Sequence, residues 1–185
     1  MQTAIAEGMS TKTFSYHRVQ PVYAEVCFDP PQFPKPVYTA AELRGVRYER
    51  AAQEELTRRY GSQYLPNLWF KYQLADGRDR YCQIDGLLID LTAGRLTIVE
   101  CKIMHCRRAY DQLVNLYEPV VETAFNKYWD DSTSCRWKIA LCEVVKWFDC
   151  SVSFPVQPKL RSQVDLARPG EFAIHIYNPK HHFKY

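Results

Sequence analysis

Two strand-like runs joined by a short turn constrain this chain more than any other feature. The first is Gln83-Ile-Asp-Gly-Leu-Leu-Ile-Asp90 and the second is Leu96-Thr-Ile-Val-Glu-Cys-Lys102. Between them Ala93-Gly94 supplies turn chemistry, so the pair reads as a β-hairpin. A turn centred between Thr92 and Ala93 sets Asp85 opposite Glu100, Leu87 opposite Ile98 and Ile89 opposite Leu96. Side chains alternate along a strand with period two, which predicts one face shared by all six and by Lys102. Two carboxylates and an ammonium then end an otherwise apolar face. Solvated charges do not need that placement, whereas a site for a metal ion and a water does. The competing reading is an exposed, salt-bridged hairpin, and the apolar company of Asp85 and Glu100 weighs against it.

The rest of the chain supplies one domain around this hairpin. Its 185 residues are 46% apolar and 14% aromatic, enough for a sizeable core. Residues 1–38 contain Pro21, Pro30, Pro31, Pro34 and Pro36 and read as an extended, proline-rich N-terminal arm, with one short strand near Val22–Phe28. Residues 39–185 form the domain. Thr39-Ala-Ala-Glu42 has the capping-box pattern and opens a helix that stops at Gly61, with Gly45 as an interruption. Strands are predicted at 68–74, 81–91 and 96–102, and a second helix over 107–128 with a kink at Pro119. Further strands follow at 137–148 and 172–177. The order predicts an α/β (α+β) fold with a mixed sheet.

Net charge is +3, compatible with nucleic acid but no argument for it alone. No run approaches the roughly 20 apolar residues of a membrane span, and the first residues lack a signal-peptide pattern. The seven cysteines form no C-x-x-C pair and read as reduced, mostly buried thiols of a cytoplasmic protein. His105 reads as a surface residue at a helix start, and the four tryptophans as core.

Asp85 followed by Glu100-Cys101-Lys102, with an acidic helix before and a glutamine-bearing helix after, resembles the PD-(D/E)xK nuclease superfamily. That superfamily includes restriction endonucleases, Holliday-junction resolvases and recombination exonucleases. The resemblance covers about residues 39–128. Gln83-Ile84-Asp85 stands where the family name suggests Pro-Asp, a position at which the family varies. The resemblance implies a restriction-endonuclease-like mixed central sheet flanked by helices. It also implies a Mg²⁺-dependent deoxyribonuclease, with Mn²⁺ as substitute, of the small phage or mobile-element kind used in DNA recombination or repair. DNA is then the partner, and many such enzymes work as homo-oligomers. By the same resemblance Asp85, Glu100 and the Cys101 carbonyl hold the metal. Lys102 positions the attacking water, helps deprotonate it and offsets negative charge. Hard cations prefer such oxygen ligands and supply both an activated water and charge relief.

Two helices carry further candidates. The family often adds a glutamate from the first helix, and Glu49, Glu54 and Glu55 qualify. Glu49 lies on the stripe Glu49, Ala52, Gln53, Leu56, Tyr60, which looks sheet-facing. Glu54 shares a side with Arg47, Arg50 and Arg58 and reads as solvated. Glu49 is therefore the first choice and Glu55 the second. Tyr110-Asp-Gln-Leu-Val-Asn-Leu-Tyr117 resembles the glutamine–tyrosine signature of recombination-type nucleases, although the tyrosine stands five residues after Gln112 and not four. Gln112 is carried over to the site and Tyr117 is read as a core or surface aromatic. Arg107, Arg108 and the basic tail Lys180-His-His-Phe-Lys-Tyr185 are phosphate contacts or ordinary solvated charge. Two other functions stay open beside the nuclease: a non-catalytic binding or scaffold protein on the same fold, and an unrelated protein in which the triad is coincidence.

Overall fold

The computed structural model describes residues 17–32, 34, 37–126, 136–148, 158–164 and 170–179. The basic tail, Trp129, Cys135 and Cys150 lie outside them. A mixed sheet of seven strands forms the centre, in the order β1-β2-β3-β4-β5-β7-β6. Strands β1 (Tyr23–Val26), β2 (Tyr64–Gln73), β3 (Asp79–Asp90) and β4 (Arg95–Met104) run antiparallel to one another. The chain then crosses through a helical segment to β5 (Lys138–Trp147), which lies parallel to β4. Strands β6 (Lys159–Arg161) and β7 (Phe172–Ile176) continue in parallel. The mixed α/β class is as expected, and β6 is an additional strand that the sequence pattern does not announce. Among the described residues no helix is long and apolar enough to cross a membrane.

Helix α1 (Ala40–Tyr60) starts as its sequence dictates. Thr39 Oγ1 accepts from the Glu42 N–H at 3.3 Å, and Glu42 accepts from the Thr39 N–H at 2.7 Å. The expected break at Gly45 is absent, and the helix runs through it. One helical glycine costs about 1 kcal/mol relative to alanine. Burial of Tyr48, Ala52 and Leu56 against Leu88, Val99, Cys101 and Val144 outweighs that.

The opposite face of the sheet carries the second helical segment. In place of the plain helix kinked at Pro119 that the sequence predicts, it has three parts: α2 (Arg107–Gln112), a π turn (Leu113–Tyr117) and α3 (Glu118–Asn126). Pro119 has no N–H to give to the carbonyl one turn back. The carbonyl of Asn115 is taken instead by the Val19 N–H at 2.8 Å, and that of Val114 by the Arg18 guanidinium at 2.6 Å. Arg18 also pairs with Glu118 at 2.6 Å. The N-terminal arm thus satisfies the acceptors that the irregular turn releases. Leu113, Leu116, Val120 and Val121 pack there against Phe70, Leu87, Leu96, Ile98 and Leu141.

Candidate active site at the parting of β3 and β4

The hairpin register is the expected one: Gly86 pairs with Val99, Leu87 with Ile98 and Ile89 with Leu96. Gly86↔Val99 is the last pair of this ladder, so Asp85 and Glu100 stand just where the two strands part. Simple alternation does not hold through this point, which corrects the single shared face expected from period two. Ile84 and Leu87 differ in parity, yet both pack in the core under α3. On β2, Tyr64 faces the α1 side while Leu68 and Phe70 face the other, although all three are even-numbered. Both strands turn over at one level. Asn67 there adopts φ 53°, and no pairing joins it to Asp85 opposite. Asparagine tolerates the left-handed region better than any other residue except glycine.

The flip delivers Asp85 to β4. Its Oδ2 accepts the Cys101 N–H at 2.7 Å, a backbone donor lying beyond the last β3–β4 pair. Lys102 Nζ lies 3.9 Å from that same Oδ2 and pairs closely with Glu100 Oε1. The expected triad therefore converges on one ammonium. Glu100 is 1% exposed, Asp85 14% and Lys102 33%, so the cluster opens to solvent on the lysine side.

A network of amides holds this geometry, and sequence reasoning did not find it. Gln53, one turn after Glu49 on α1, donates to the Asp85 carbonyl at 2.9 Å and to Asn67 Oδ1 at 3.0 Å. Asn67 Nδ2 returns a bond to Gln53 Oε1 at 3.1 Å, and Gln83 Nε2 reaches Asn67 Oδ1 at 3.3 Å. The Tyr64 hydroxyl also donates to the Asp85 carbonyl at 3.3 Å. A signal was present: Pro66-Asn67 is a turn-like dipeptide inside an otherwise strand-like run.

Electrostatics ties Glu49 to the cluster and sets the other helix glutamates apart. Burial, then the Asp85 charge, push the Glu49 carboxyl up to about 7, against Lys102 and the Gln53 amide. Glu55 is engaged by Arg58 at 2.7 Å and Arg59 at 3.2 Å, and Glu54 is exposed. Burial and the Asp85 charge push Glu100 up to about 8, with Lys102 opposing. Burial raises Asp85 as well, opposed by Lys102, the Cys101 N–H and a Glu100 hydrogen bond. Burial disfavours the Lys102 ammonium, but Glu100 and Asp85 outweigh it and hold that pKa above its ordinary value.

The remaining candidates fall into place unevenly. Gln112 is 3% exposed and donates to Tyr117 Oη at 3.3 Å. The π turn between them adds a residue to one helical turn, so a tyrosine five positions on still lies beside the glutamine. Arg107 is exposed and 3.7 Å from Asp111, and Arg108 is exposed. His105 is a correction. It is 1% exposed, not at the surface, and its Nδ1 meets Oε2 of the fully buried Glu143. Phe148 and Phe172 flank it at 5.5 and 5.9 Å. Glu143 is the β5 partner of Glu100 in the parallel ladder. A lone acid inside the apolar run Ile139–Val145 was its only mark in the sequence. Trp147 is a second correction, 54% exposed at the end of β5 and not a core residue.

In chemical terms the site offers two adjoining carboxylates, a charged lysine and a third carboxyl that titrates near neutrality. Among the described residues no three His, Cys, Asp or Glu side chains converge as a ready-made metal cage. Glu100 Oε2 is nonetheless buried without a hydrogen-bond partner among the described residues, an acceptor placed where a cation or a proton is needed. No family model, curated protein or solved structure matches the chain.

Proposed function

We propose that this protein is a nuclease of the PD-(D/E)xK type, with a restriction-endonuclease-like fold, that hydrolyses phosphodiester bonds in DNA with Mg²⁺ or Mn²⁺. One observation carries the reading. Asp85, Glu100 and Lys102 meet where β3 and β4 part, and the Glu49 carboxyl on α1 responds to the same charges. The element order supports it: a helix, an antiparallel meander, a helical crossover and a parallel strand. So does the π turn, which keeps Gln112 and Tyr117 adjacent despite their spacing.

The donor set fits a hard divalent ion: the Asp85 and Glu100 carboxylates, with the orphaned Glu100 Oε2, to which the resemblance adds the Cys101 carbonyl. Bound there, such an ion supplies charge relief at the phosphate and acidifies a water. The chain's own groups divide the remaining work. Lys102, facing two carboxylates, stays protonated, so it acts as a donor and a fixed positive charge toward a non-bridging phosphate oxygen. A general-base role therefore passes from Lys102 to Glu49. Burial and the Asp85 charge push its carboxyl above its ordinary value in the metal-free site, which makes it the more basic carboxylate available to accept the water proton. The water oxygen bonds to phosphorus as its proton passes to Glu49, the bond to the leaving sugar oxygen breaks, and that oxygen takes up a proton from solvent water.

The test is cleavage of labelled single- and double-stranded DNA in Mg²⁺ and in Mn²⁺, by wild type and by Asp85→Asn, Glu100→Gln and Lys102→Ala. Each variant is expected to lose at least about a hundredfold in rate, with melting curves that remain cooperative. Undiminished cleavage in all three, or none in the wild type with either metal, would overturn the assignment.

A further inference from the structure

Beside the triad runs a groove that the catalytic reading does not use. Its walls are Ala41, Arg44 and Tyr48 from α1, Ile103 and Met104 from β4, and Lys146 and Trp147 from β5, around a volume of about 400 Å³. That lies within the range of roughly 300–1,000 Å³ typical of ligand sites. The groove adjoins the site along the chain, although Ile103 faces the α1 side of β4 with Val99 and Cys101. Ile103 directly follows Lys102 on β4, and Tyr48 directly precedes Glu49 on α1. Ile103 and Lys146 are also neighbours across the β4–β5 ladder, between the pairs Lys102↔Val145 and Met104↔Trp147.

The lining has an unusual composition for a protein surface. Trp147 and Met104 are 54% and 47% exposed, in contiguous positions at the strand ends. Tyr48 is fully buried, with its hydroxyl on the Tyr177 carbonyl at 3.1 Å, so it backs the groove and leaves Trp147 as the exposed aromatic face. Two cations, Arg44 and Lys146, flank this apolar strip, and Arg44 has no ion-pair partner among the described residues. Among the described residues no carboxylate lines it. An aromatic platform bordered by positive charge matches what an unpaired nucleotide presents, a π-face beside a phosphate. A duplex hides its base faces in the stack and gains nothing from Trp147.

We propose that this groove binds the unpaired bases of a DNA single strand, stacked on Trp147, with flanking phosphates on Arg44 and Lys146. The inference rests on the nuclease reading. It narrows the substrate to DNA carrying a single-stranded segment next to the scissile phosphate.

Fluorescence anisotropy of a labelled single-stranded oligothymidylate tests it, with a blunt duplex of equal length as the comparison and EDTA present to prevent cleavage. Wild type is expected to prefer the single strand. Trp147→Ala is expected to weaken single-strand binding by roughly tenfold and to leave the duplex unchanged, while Trp147→Phe retains most of the affinity. The double variant Arg44→Ala/Lys146→Ala is expected to reduce the slope of log affinity against log salt by about 1.4, two single-strand phosphate contacts. Trp147→Ala within twofold of wild type on the single strand, or an equal loss on both substrates, overturns the groove assignment. Cleavage assays separate the two readings. Metal-dependent cutting with unaltered binding by the groove variants removes the groove alone. Loss of stacking in Trp147→Ala without any cutting by wild type removes the nuclease reading alone.

Discussion

One added methyl group at Gly86 tests how tightly the site is built. A Cβ at that position falls within 3.0 Å of Tyr64 Oη, Cε2 and Cζ, closer than real Cβ contacts come. Tyr64 cannot yield freely: it is 2% exposed, packs with Leu88, Val99 and Cys101, and donates its hydroxyl to the Asp85 carbonyl. Overpacking of this kind costs about 1–3 kcal/mol, and loss of the buried hydrogen bond adds about 1 kcal/mol. Gly86→Ala should therefore destabilise by roughly 2–4 kcal/mol, a fall in Tm of roughly 5–15 °C for a domain of this size. Asp85 precedes Gly86, so cleavage should fall further than stability explains. A misplacement of about 1 Å costs on the order of a hundredfold. Tyr64→Phe should not rescue, because Cε2 and Cζ remain in the way. Tyr64→Leu should, with a favourable coupling of about 1–2 kcal/mol in the double variant. Calorimetry on the four proteins measures the cycle. A Gly86→Ala Tm within about 1 °C of wild type, against the several degrees expected for a domain of this size, would refute the close approach as its cause. Strict additivity with Tyr64→Leu would do the same.

Other perturbations read different parts of the cluster. In EDTA the stability of the wild type should fall as pH rises from about 4.5 to about 8. Glu100 and Glu49 hold protons more tightly folded than unfolded across that window, while Lys102 stays charged throughout it. Urea midpoints measured against pH should show the fall, and Glu100→Gln should flatten most of it. In Mg²⁺, kcat/KM should rise with pH along a limb lying below the value of about 7 for the metal-free Glu49 carboxyl, because the cation offsets the Asp85 charge that raises it. Glu49→Gln should lose that limb. Gln53→Ala strips the Asp85 carbonyl and Asn67 of their shared partner. It should cost about 1–3 kcal/mol in chemical denaturation and lower cleavage, and Gln53→Glu, which has no N–H to donate, should restore neither. His105→Ala leaves the Glu143 carboxyl buried and unpaired. It should destabilise by about 3–5 kcal/mol, whereas pairing it with Glu143→Leu should recover most of the loss in the same melts.

The triad was legible because hairpin pairing is local. Asp90, Ala93-Gly94 and Arg95 close the turn, with the Ala93 N–H on Asp90 Oδ1 at 2.9 Å and Arg95 on Asp90 Oδ2 at 3.0 Å. A fixed turn then fixes every pair above it. The capping box at Thr39 was legible for the same reason, since both its partners lie within one helical turn. Glu49 was a weaker inference and rested on one helical stripe. His105 was misread because its partner, Glu143, is 38 residues away on a strand that becomes a neighbour only through the parallel crossover. Exposure of Trp147 escaped for a related reason: a strand's apolar run does not reveal where its covering helix stops.

The face reversal at Asn67 and Asp85 shows why period-two reading reached the right residues through an incomplete geometry. Alternation alone would bury the Asp85 side chain under α3 beside Leu87. The paired break instead frees the carboxylate to reach the Cys101 N–H beyond the ladder's end, where Lys102 and Glu100 meet it. A regular hairpin cannot do this, because its side chains stand perpendicular to the sheet and its backbone donors are already used. The break also opens a backbone carbonyl at Asp85, which Gln53 and Tyr64 cover from the α1 side. That coverage explains why α1 must dock at this level, and docking at this level brings Glu49 to the carboxylates. One left-handed asparagine thus links strand geometry, helix placement and the third acid. Asn67→Gly should keep the backbone course, since glycine adopts φ 53° without strain, while giving up the side-chain bonds to Gln53 and Gln83. Asn67→Val should force β2 back to regular pairing, at a cost of about 1–3 kcal/mol for the strained backbone. If Asn67→Val melts and cleaves like wild type, the chain of reasoning breaks at its first link.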